Sequence, residues 1–372
     1  MLEPAAFPAV IKVGSAVLAG SEGGLDAVVM RRLATEIAEL LERGGRICLV
    51  SSGAISAGMG ELGLQRRPQQ LEAKQALAAV GQVRLMSLYA ALFAPLGRKV
   101  AQVLLTHEDL AHRDSFLNAG KTLARLMKLG ILPVINENDT VSTREIQFGD
   151  NDQLAVLVAN LVEARSAIFL SAAAGLMDLE DGSRLIPEVN AIDRRIFALA
   201  RGGNSLGSGG MGSKLMALHK LNLAGKNAWL ADGRRPGVLS DIFAGRPVGT
   251  FFRARPARLS SKHQWMVQHL KPHGRIEVDE GAFRALLRGK ASLLCPGITA
   301  AEGHWRVGQL VGLSYQGKEF ARGMARLDSE QVRRVVGESS ARAGELLGAS
   351  APRYVVHRND IALVEGEHPE GG

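Results

Sequence analysis

Four apolar runs in the first two-thirds of the chain end in residues equipped for chemistry on anions. Lys12 stands inside Ile11-Lys12-Val13-Gly14-Ser15. A lysine within an apolar strand is costly unless it is paired or meets a ligand, and Gly14 lets a bound group approach the backbone. Such a lysine suits phosphate oxygens; a solvent-facing lysine on an edge strand is the alternative of equal weight. Leu49-Val50-Ser51-Ser52-Gly53-Ala54 runs a strand into a helix start, where free backbone N–H groups attract a carboxylate or phosphate. Taken alone, an ordinary helix cap is the commoner meaning. Pro133-Val134-Ile135-Asn136-Glu137-Asn138-Asp139 and Gly149-Asp150-Asn151-Asp152 form two dense acid–amide clusters around a short insertion. Capping and turn residues would look similar, but the clustering exceeds what one cap needs. It suits binding an ammonium group or organising lysines around phosphates, with a metal site the weaker option. The fourth segment, Gly207-Ser208-Gly209-Gly210-Met211-Gly212-Ser213-Lys214, is a glycine-rich cradle opening a helix. Its spacing departs from the P-loop, which needs Ser or Thr after the lysine. A helix beginning there favours phosphate over a merely flexible loop.

The elements that must position these residues alternate. Strands are predicted at Ala9–Val13, Arg46–Val50, Val100–Leu105, Leu132–Ile135, Ala167–Leu170 and Ala228–Ala231. Helices are predicted at Asp26–Arg43, Leu71–Phe93, Ser115–Leu129, Asn151–Val162 and Lys214–Ala224. In the first helix Val29, Leu33, Ile37, Leu40 and Leu41 fall three or four apart on one face, and Gly44-Gly45 ends it. Alternation of this kind means βαβ units and a mostly parallel sheet sandwiched by helices. Ligands of such sheets bind at the C-terminal strand ends, where the four segments lie. Near residues 251–271 the pattern changes to a basic linker with a short helix. From Gly274 the runs GRIEVDE, ASLLCPGI and QLVGLSYQGKEFARGMARL read as strands, interrupted by one helix at Ala282–Leu287, in a compact β-rich domain. The tail EGEHPEGG reads as disordered.

Composition narrows the classes. The 372 residues are 46% hydrophobic and 22% charged, enough for two domains and too ordered a mixture for a disordered chain. Cys48 and Cys295 are far apart within apolar runs, which reads as buried free thiols rather than a disulfide framework or zinc site. The start MLEPAAFPAV lacks the basic and apolar regions of a signal peptide, and no apolar run approaches a membrane span, so a cytoplasmic location is expected. The net charge is +8, and residues 251–372 hold 18 Lys and Arg against 13 Asp and Glu. That excess permits nucleic-acid contact there; a solvated basic face is as good a reading of charge alone.

The stretches VIKVGSAVL, LVSSGAISAG, AAVGQVRLM, VLLTHEDL, FLNAGKTL, PVINENDTVST, FGDNDQLA, GSGGMGSKL and RPGVLSDIFAGRPVGTFF occur in the order found in the glutamate 5-kinases of the amino-acid kinase superfamily, and the chain resembles that family over roughly its whole length. PVINEND followed by GDND is the most specific signal. EVDEGAFRALLRGKASLLCPGI and FARGMARLDSEQVRRVVG resemble the PUA domain fused to many of these enzymes. The resemblance implies an amino-acid kinase domain at 1–258, a linker with a short helix at 259–272, a PUA-like domain at 273–362 and a disordered tail at 363–372.

It further implies ATP-dependent phosphorylation of the glutamate side-chain carboxylate, the first step of proline biosynthesis, with Mg2+ carried by the nucleotide and no metal ligand set in the chain. Lys12 and Lys214 would neutralise the transferring phosphoryl group, and Asp152 would hold both lysines. Ser52, Asp139 and Asn151 would bind glutamate, with Gly53, Asn136 and Asp150 beside them. Ser208, Gly209, Gly210, Met211, Gly212, Ser213 and Lys214 would hold the ATP phosphates, and Ser171 and Ala172 would border the nucleotide. Also implied are a homo-oligomer, proline as feedback inhibitor and RNA as a partner of the C-terminal domain, with no membrane. The chain departs from the family where Thr-Asp usually precedes a Gly-Leu-Tyr turn: Ser171 keeps a hydroxyl, Ala172 lacks the carboxylate and Met177 replaces the aromatic. Looser nucleoside recognition is expected. The competing readings are another carboxylate or carbamate kinase of this fold, and a regulatory RNA-binding protein with a degenerate kinase half.

Overall fold

A computed structural model describes residues 8–20, 23–106, 109–110, 113–142, 150–178, 184–199, 210–255, 272–288, 291–348 and 351–364, the side chains of residues 113, 114 and 150 excepted. The chain divides into two compact units, 1–110 with 114–257, and 258–372 with 111–113.

The first unit begins with β1 (Pro8–Val13), α1 (Ser15–Leu18), α2 (Ala27–Glu42), β2 (Arg46–Ser51), α3 (Ala54–Glu61), α4 (Leu71–Phe93), β3 (Lys99–Leu105), α5 (Arg113–Lys128) and β4 (Ile131–Glu137). It continues through α6 (Asp150–Leu161), β5 (Ser166–Ser171), β6 (Met177–Asp178), β7 (Arg184–Leu185), β8 (Glu188–Val189), α7 (Arg194–Leu199), α8 (Met211–Leu223), β9 (Asn227–Asp232), α9 (Val238–Phe243) and β10 (Thr250–Phe252). Local chemistry explains the ends. Asp26 caps α2 by accepting from the N–H groups of Val28 and Val29 at 2.9 and 3.0 Å, a contact worth about 1 kcal/mol. Gly44, at φ 83°, follows it in the left-handed region that glycine tolerates.

The main sheet has the order β3-β4-β2-β1-β5-β9-β10-β8. Pairs from β3 through β9 are parallel, whereas β10 runs antiparallel to β9. Every position of β1 and β5 is buried, as expected for parallel strands covered on both faces. The chain leaves β1 toward β2 on one side and later returns with β5 on the other. That reversal opens a crevice at the strand C-termini. Register aligns what borders it: Val13 pairs with both Ser51 and Leu170, and Ser171 pairs with Asp232.

The second unit contains β11 (Gly274–Val278), α10 (Glu280–Leu287), β12 (Ile298–Gly303), β13 (Leu310–Tyr315), β14 (Lys318–Ala325), α11 (Ser329–Arg334), α12 (Ser340–Leu347) and β15 (Val356–Leu363). Its sheet order is β12-β11-β13-β14-β15. Its own core includes Trp305, Leu313, Phe320 and Val356, and the Trp305 indole N–H donates to the carbonyl of Leu327 at 3.0 Å.

Several expectations need correction. The sequence reading assigns the second domain one helix, but α11 and α12 are also present. Their signals are Asp328 with Gln331, a complete capping box, and Ser339 accepting from the N–H of Arg342. ASLLCPGI is not a strand until its last residue, because Cys295–Gly297 forms a 3-10 turn around Pro296, which has no N–H for a ladder. Two residues of the tail expected from 363 belong to the second unit's sheet: β15 includes Leu363, and the N–H of Val364 donates to the Phe320 carbonyl at 2.9 Å. Most of the expected linker, residues 256–271, lies outside the described residues, as does 365–372. Phe251–Phe252 belongs to β10.

One helix also proves long and apolar enough to cross a membrane by length and composition, from Leu71 to Leu96 with mean hydropathy 1.5. The sequence reading expects no such run. In this unit Leu85, Tyr89 and Phe93 of α4 are buried in the core against α2 and α3. Buried positions make up 33% of its most apolar stretch, while Val80 and Val83 stay exposed.

Candidate active site

Lys12 lies one residue before the end of β1, Asp152 in the first turn of α6 and Lys214 in the first turn of α8. The fold brings all three together. Lys12 Nζ stands 2.6 Å from Asp152 Oδ1 and Lys214 Nζ 3.3 Å from Asp152 Oδ2. Ser213 Oγ donates to the same Oδ2 at 3.2 Å. Asp152 is fully buried, and the lysine side chains retain only 6% and 13% exposure. Burial pushes the Lys12 ammonium below the ordinary lysine range, with Asp152 working against that shift and Lys214 adding to it. Burial alone would raise the Asp152 carboxyl, but the two lysine charges hold it below the usual carboxylate range. Gly14 leaves the space beside this cluster clear: a side chain there would start 3.7 Å from Lys12 Nζ and 3.3 Å from the Leu170 carbonyl.

The residue before Asp152 turns to a second cluster. Asn151 Nδ2 donates to Ser52 Oγ at 3.0 Å, to Asn136 Oδ1 at 3.0 Å and to the Ser51 carbonyl at 3.3 Å. Its own Oδ1 is buried with no hydrogen-bond partner among the described residues. A buried acceptor left in that state suits a donor brought by a ligand. Asn136 Oδ1 also accepts from the N–H of Glu137 at 2.9 Å. Gly53, at φ 104°, starts α3 from a left-handed conformation. Asp139 lies part-exposed in the turn after β4, which is closed by the Val141 N–H on the Asn138 carbonyl and by Thr140 Oγ1 donating to Asn138 Oδ1 at 2.6 Å. The first turn of α6 thus splits the site, Asn151 serving a carboxamide–hydroxyl pocket and Asp152 a lysine pair. Asp150 opens that turn, and its side chain is outside the described residues.

Gly210 caps α8, with Met211, Gly212, Ser213 and Lys214 as its first turn. Ser208 and Gly209 fall outside the described residues. At the end of β5, Ser171 Oγ accepts from the N–H of Ala173 at 3.0 Å and so shapes the turn rather than reaching the lysines. The Ala172 carbonyl accepts from Arg234 at 2.8 Å, and Arg234 also grips the Asp232 carboxylate at 3.1 and 3.3 Å. A carboxylate therefore does border this strand end, supplied by the neighbouring strand β9. Its signal in the sequence is the polar ending Asp232-Gly233-Arg234 after an apolar run, the same kind that marks the other strand ends. Other contacts had no such signal: Gln75, Gln82 and Tyr89 of α4 hydrogen-bond to the segments carrying Asp139, Asn136 and Ser52.

Two cations around one buried carboxylate, next to a carboxamide–hydroxyl cluster with an unused acceptor, can bring an anionic nucleophile up to a phosphoryl group and stabilise the charge that develops. Comparison with known proteins agrees. Residues 8–232 match the amino acid kinase family and residues 274–346 match the PUA domain. The chain is similar to the glutamate 5-kinase of Thermus thermophilus, 46% identical across 96% of this chain and 97% of that one. It is similar also to those of Pelobacter propionicus and Geobacter sulfurreducens, 42% and 41% identical across 95% of this chain and 97% of each relative. With agreement at this level over both units, the chain belongs to the glutamate 5-kinase branch of the amino acid kinase family.

Proposed function

We propose that this chain transfers the γ-phosphoryl group of ATP to the side-chain carboxylate of glutamate, giving glutamyl 5-phosphate for proline biosynthesis. The observation that carries the reading is the division made by Asn151 and Asp152. Adjacent in one helical turn, they join a pocket suited to an amino acid with a pair of lysines suited to a phosphoryl group. Asn151 Oδ1 accepts from the substrate ammonium, with Asp139 supplying negative charge nearby and Ser52, Gly53 and Asn136 completing the pocket. The attacking γ-carboxylate, with an ordinary pKa of about 4.3, is already ionised at neutral pH, so the step needs no general base.

The carboxylate oxygen forms its bond to phosphorus as the bond to the leaving ADP oxygen breaks. Lys12 and Lys214 meet the charge shared among the phosphoryl oxygens in the transition state. Asp152 keeps both ammonium groups in place, and its charge opposes the effect of burial on Lys12. The N–H groups at the start of α8, with Gly210 to Ser213, receive the nucleotide phosphates. Both Asp152 oxygens are committed to lysines, so the chain's residues fit a Mg2+ that arrives on the triphosphate rather than one held in advance. Ser171, the Ala172 turn and Asp232 border the nucleoside end. A homo-oligomer in the cytoplasm, proline as feedback inhibitor and RNA contact through the second unit belong to the same reading and rest on the family resemblance.

The test is to trap the acyl phosphate with hydroxylamine while varying the acceptor acid. Hydroxamate that requires both glutamate and ATP is the expected result. Hydroxamate formed with aspartate or N-acetylglutamate, and none with glutamate, would overturn the assignment.

A further inference from the structure

Helix α4 lies outside the site just described, yet it carries three polar side chains at a spacing of seven: Gln75, Gln82 and Tyr89. Seven residues bring an α-helix back to within about 20° of the same line, so the three form a stripe on one face. Between them Leu77, Ala78, Gly81 and Leu85 are buried and apolar. Each member of the stripe is bonded to a different segment of the acceptor pocket. Gln75 Nε2 donates to the Ser142 carbonyl at 3.0 Å, beyond the turn that holds Asp139. Gln82 Oε1 accepts from Asn136 Nδ2 at 2.8 Å, while Gln82 Nε2 donates to Gln102 Oε1 at 3.1 Å. The Tyr89 hydroxyl and Ser51 Oγ share a hydrogen bond of 2.8 Å, next to Ser52. The helix is itself fixed against the start of the pocket. A Cβ on Gly81 would lie 1.8 Å from the Ala54 carbonyl oxygen, and one on Gly58 would lie 2.0 Å from that of Leu77. Helices α3 and α4 therefore touch backbone to backbone.

We infer that Gln75, Gln82 and Tyr89 are positioning residues that set the geometry of the amino-acid pocket, with Gln82 the decisive one. This rests on the glutamate reading above. By accepting from Asn136 Nδ2, Gln82 turns Asn136 Oδ1 toward Asn151 Nδ2. That bond in turn aims the unpartnered Asn151 Oδ1. The Glu137 N–H also bonds Asn136 Oδ1, so without an acceptor at position 82 the Asn136 amide is held at its oxygen end alone and its NH2 loses the bond that fixes it. An Asn136 side chain held at one end holds Asn151 Nδ2 less firmly, and the free oxygen of Asn151 loses its fixed place before a substrate ammonium. None of these contacts touches Lys12, Asp152 or Lys214, so the effect falls on the acceptor and not on ATP.

Steady-state kinetics of the full chain test this, with glutamate and ATP varied separately and thermal unfolding followed in parallel. Gln82→Met should raise the KM for glutamate about ten-fold, the size expected when one buried hydrogen-bond partner is withdrawn. The KM for ATP should move less than about two-fold. Gln82→Glu keeps the acceptor for Asn136 and should restore most of the glutamate KM. A merely structural glutamine would show neither the split between substrates nor that recovery. Gln75→Ala, at a partly exposed position, should raise the glutamate KM several-fold and provides the test should Gln82→Met fail to fold. An unchanged glutamate KM in Gln82→Met, equal rises for both substrates, or, in the fallback case, an unchanged KM in Gln75→Ala would overturn the inference. The unmodified chain is measured alongside: if it forms no glutamate-dependent product, the proposed function itself is at fault, whereas normal wild-type turnover with indifferent variants refutes only the stripe.

Discussion

Asp152 has no exposed surface and meets two ammonium groups. A carboxylate in that position is costly unless paired, and a lone lysine beside it would leave no surplus charge for a ligand. With two lysines the cluster keeps a net positive charge, which a triphosphate can use. Lys12→Ala and Lys214→Ala should each lower kcat about 100-fold or more, as loss of a group acting on the transition state does, with the KM for glutamate changing only a few-fold. An effect confined to the glutamate KM would contradict the assigned roles. The Lys12 shift adds a pH dependence. The protonated form is the active one, and burial holds its pKa below the ordinary 10.5. Raising the pH therefore removes the charge early in the free enzyme, and the alkaline limb of the kcat/KM profile for ATP should begin below 10.5. A limb at or above that value would show that Lys12 does not control the step. Lys12 and Lys214 were legible as candidates because each breaks a local rule, a charge inside an apolar strand or at the end of a glycine run. Their convergence on one carboxylate was not legible, since 62 residues separate Lys214 from Asp152 in sequence.

The same contrast holds for elements. Helix α4 was read over Leu71–Phe93 and is found there, because its apolar content and length leave little choice. What the helix does was hidden. No local rule singles out Gly58, Gly81, Gln75, Gln82 or Tyr89 in the sequence. Only the crossing of α3 over α4 explains the glycines, since a methyl group at Gly81 would enter the space of the Ala54 carbonyl and the Gly58 N–H, at 1.8 and 2.3 Å. Gly81→Ala should force the helices apart, destabilise the chain by about 3 kcal/mol or more and weaken the Tyr89–Ser51 contact. Gly344→Ala in α12 is the matched control: nothing lies within 4 Å of the added methyl, and better helix propensity should stabilise that helix by up to about 1 kcal/mol. Urea denaturation compares the two. Similar midpoints for both variants would rule out the tight crossing.

At the scale of the molecule, each unit buries its own cluster of apolar side chains. Met30, Leu49 and Phe93 belong to the first, and Trp305, Leu313 and Val356 to the second. A chain ending near residue 258 should therefore fold and retain kinase activity, as measured by far-UV circular dichroism and the hydroxamate assay. Aggregation of that fragment would place the boundary elsewhere or deny it independence. RNA binding, if the second unit has it, should be lost with the truncation, and in the full chain should weaken steeply with salt.

The sequence by itself determined the alternation of strands and helices in the first unit, since hydrophobic periodicity is a local property and each buried strand must be apolar throughout. It determined also which strand ends were chemically unusual. It determined less in the second unit, where short strands and helices of six to eight residues carry few periodic positions and caps such as Asp328 are easily passed over. Tertiary structure alone decided that β1 would lie between β2 and β5, that Asn151 and Asp152 would face different partners, and that Asp232 would border the position where Ala172 lacks an acid. It also placed three side chains of a distant helix behind the pocket. Those facts depend on strand order, register and helix crossing, which are set by the packing of the whole unit and leave no mark at any one position of the chain.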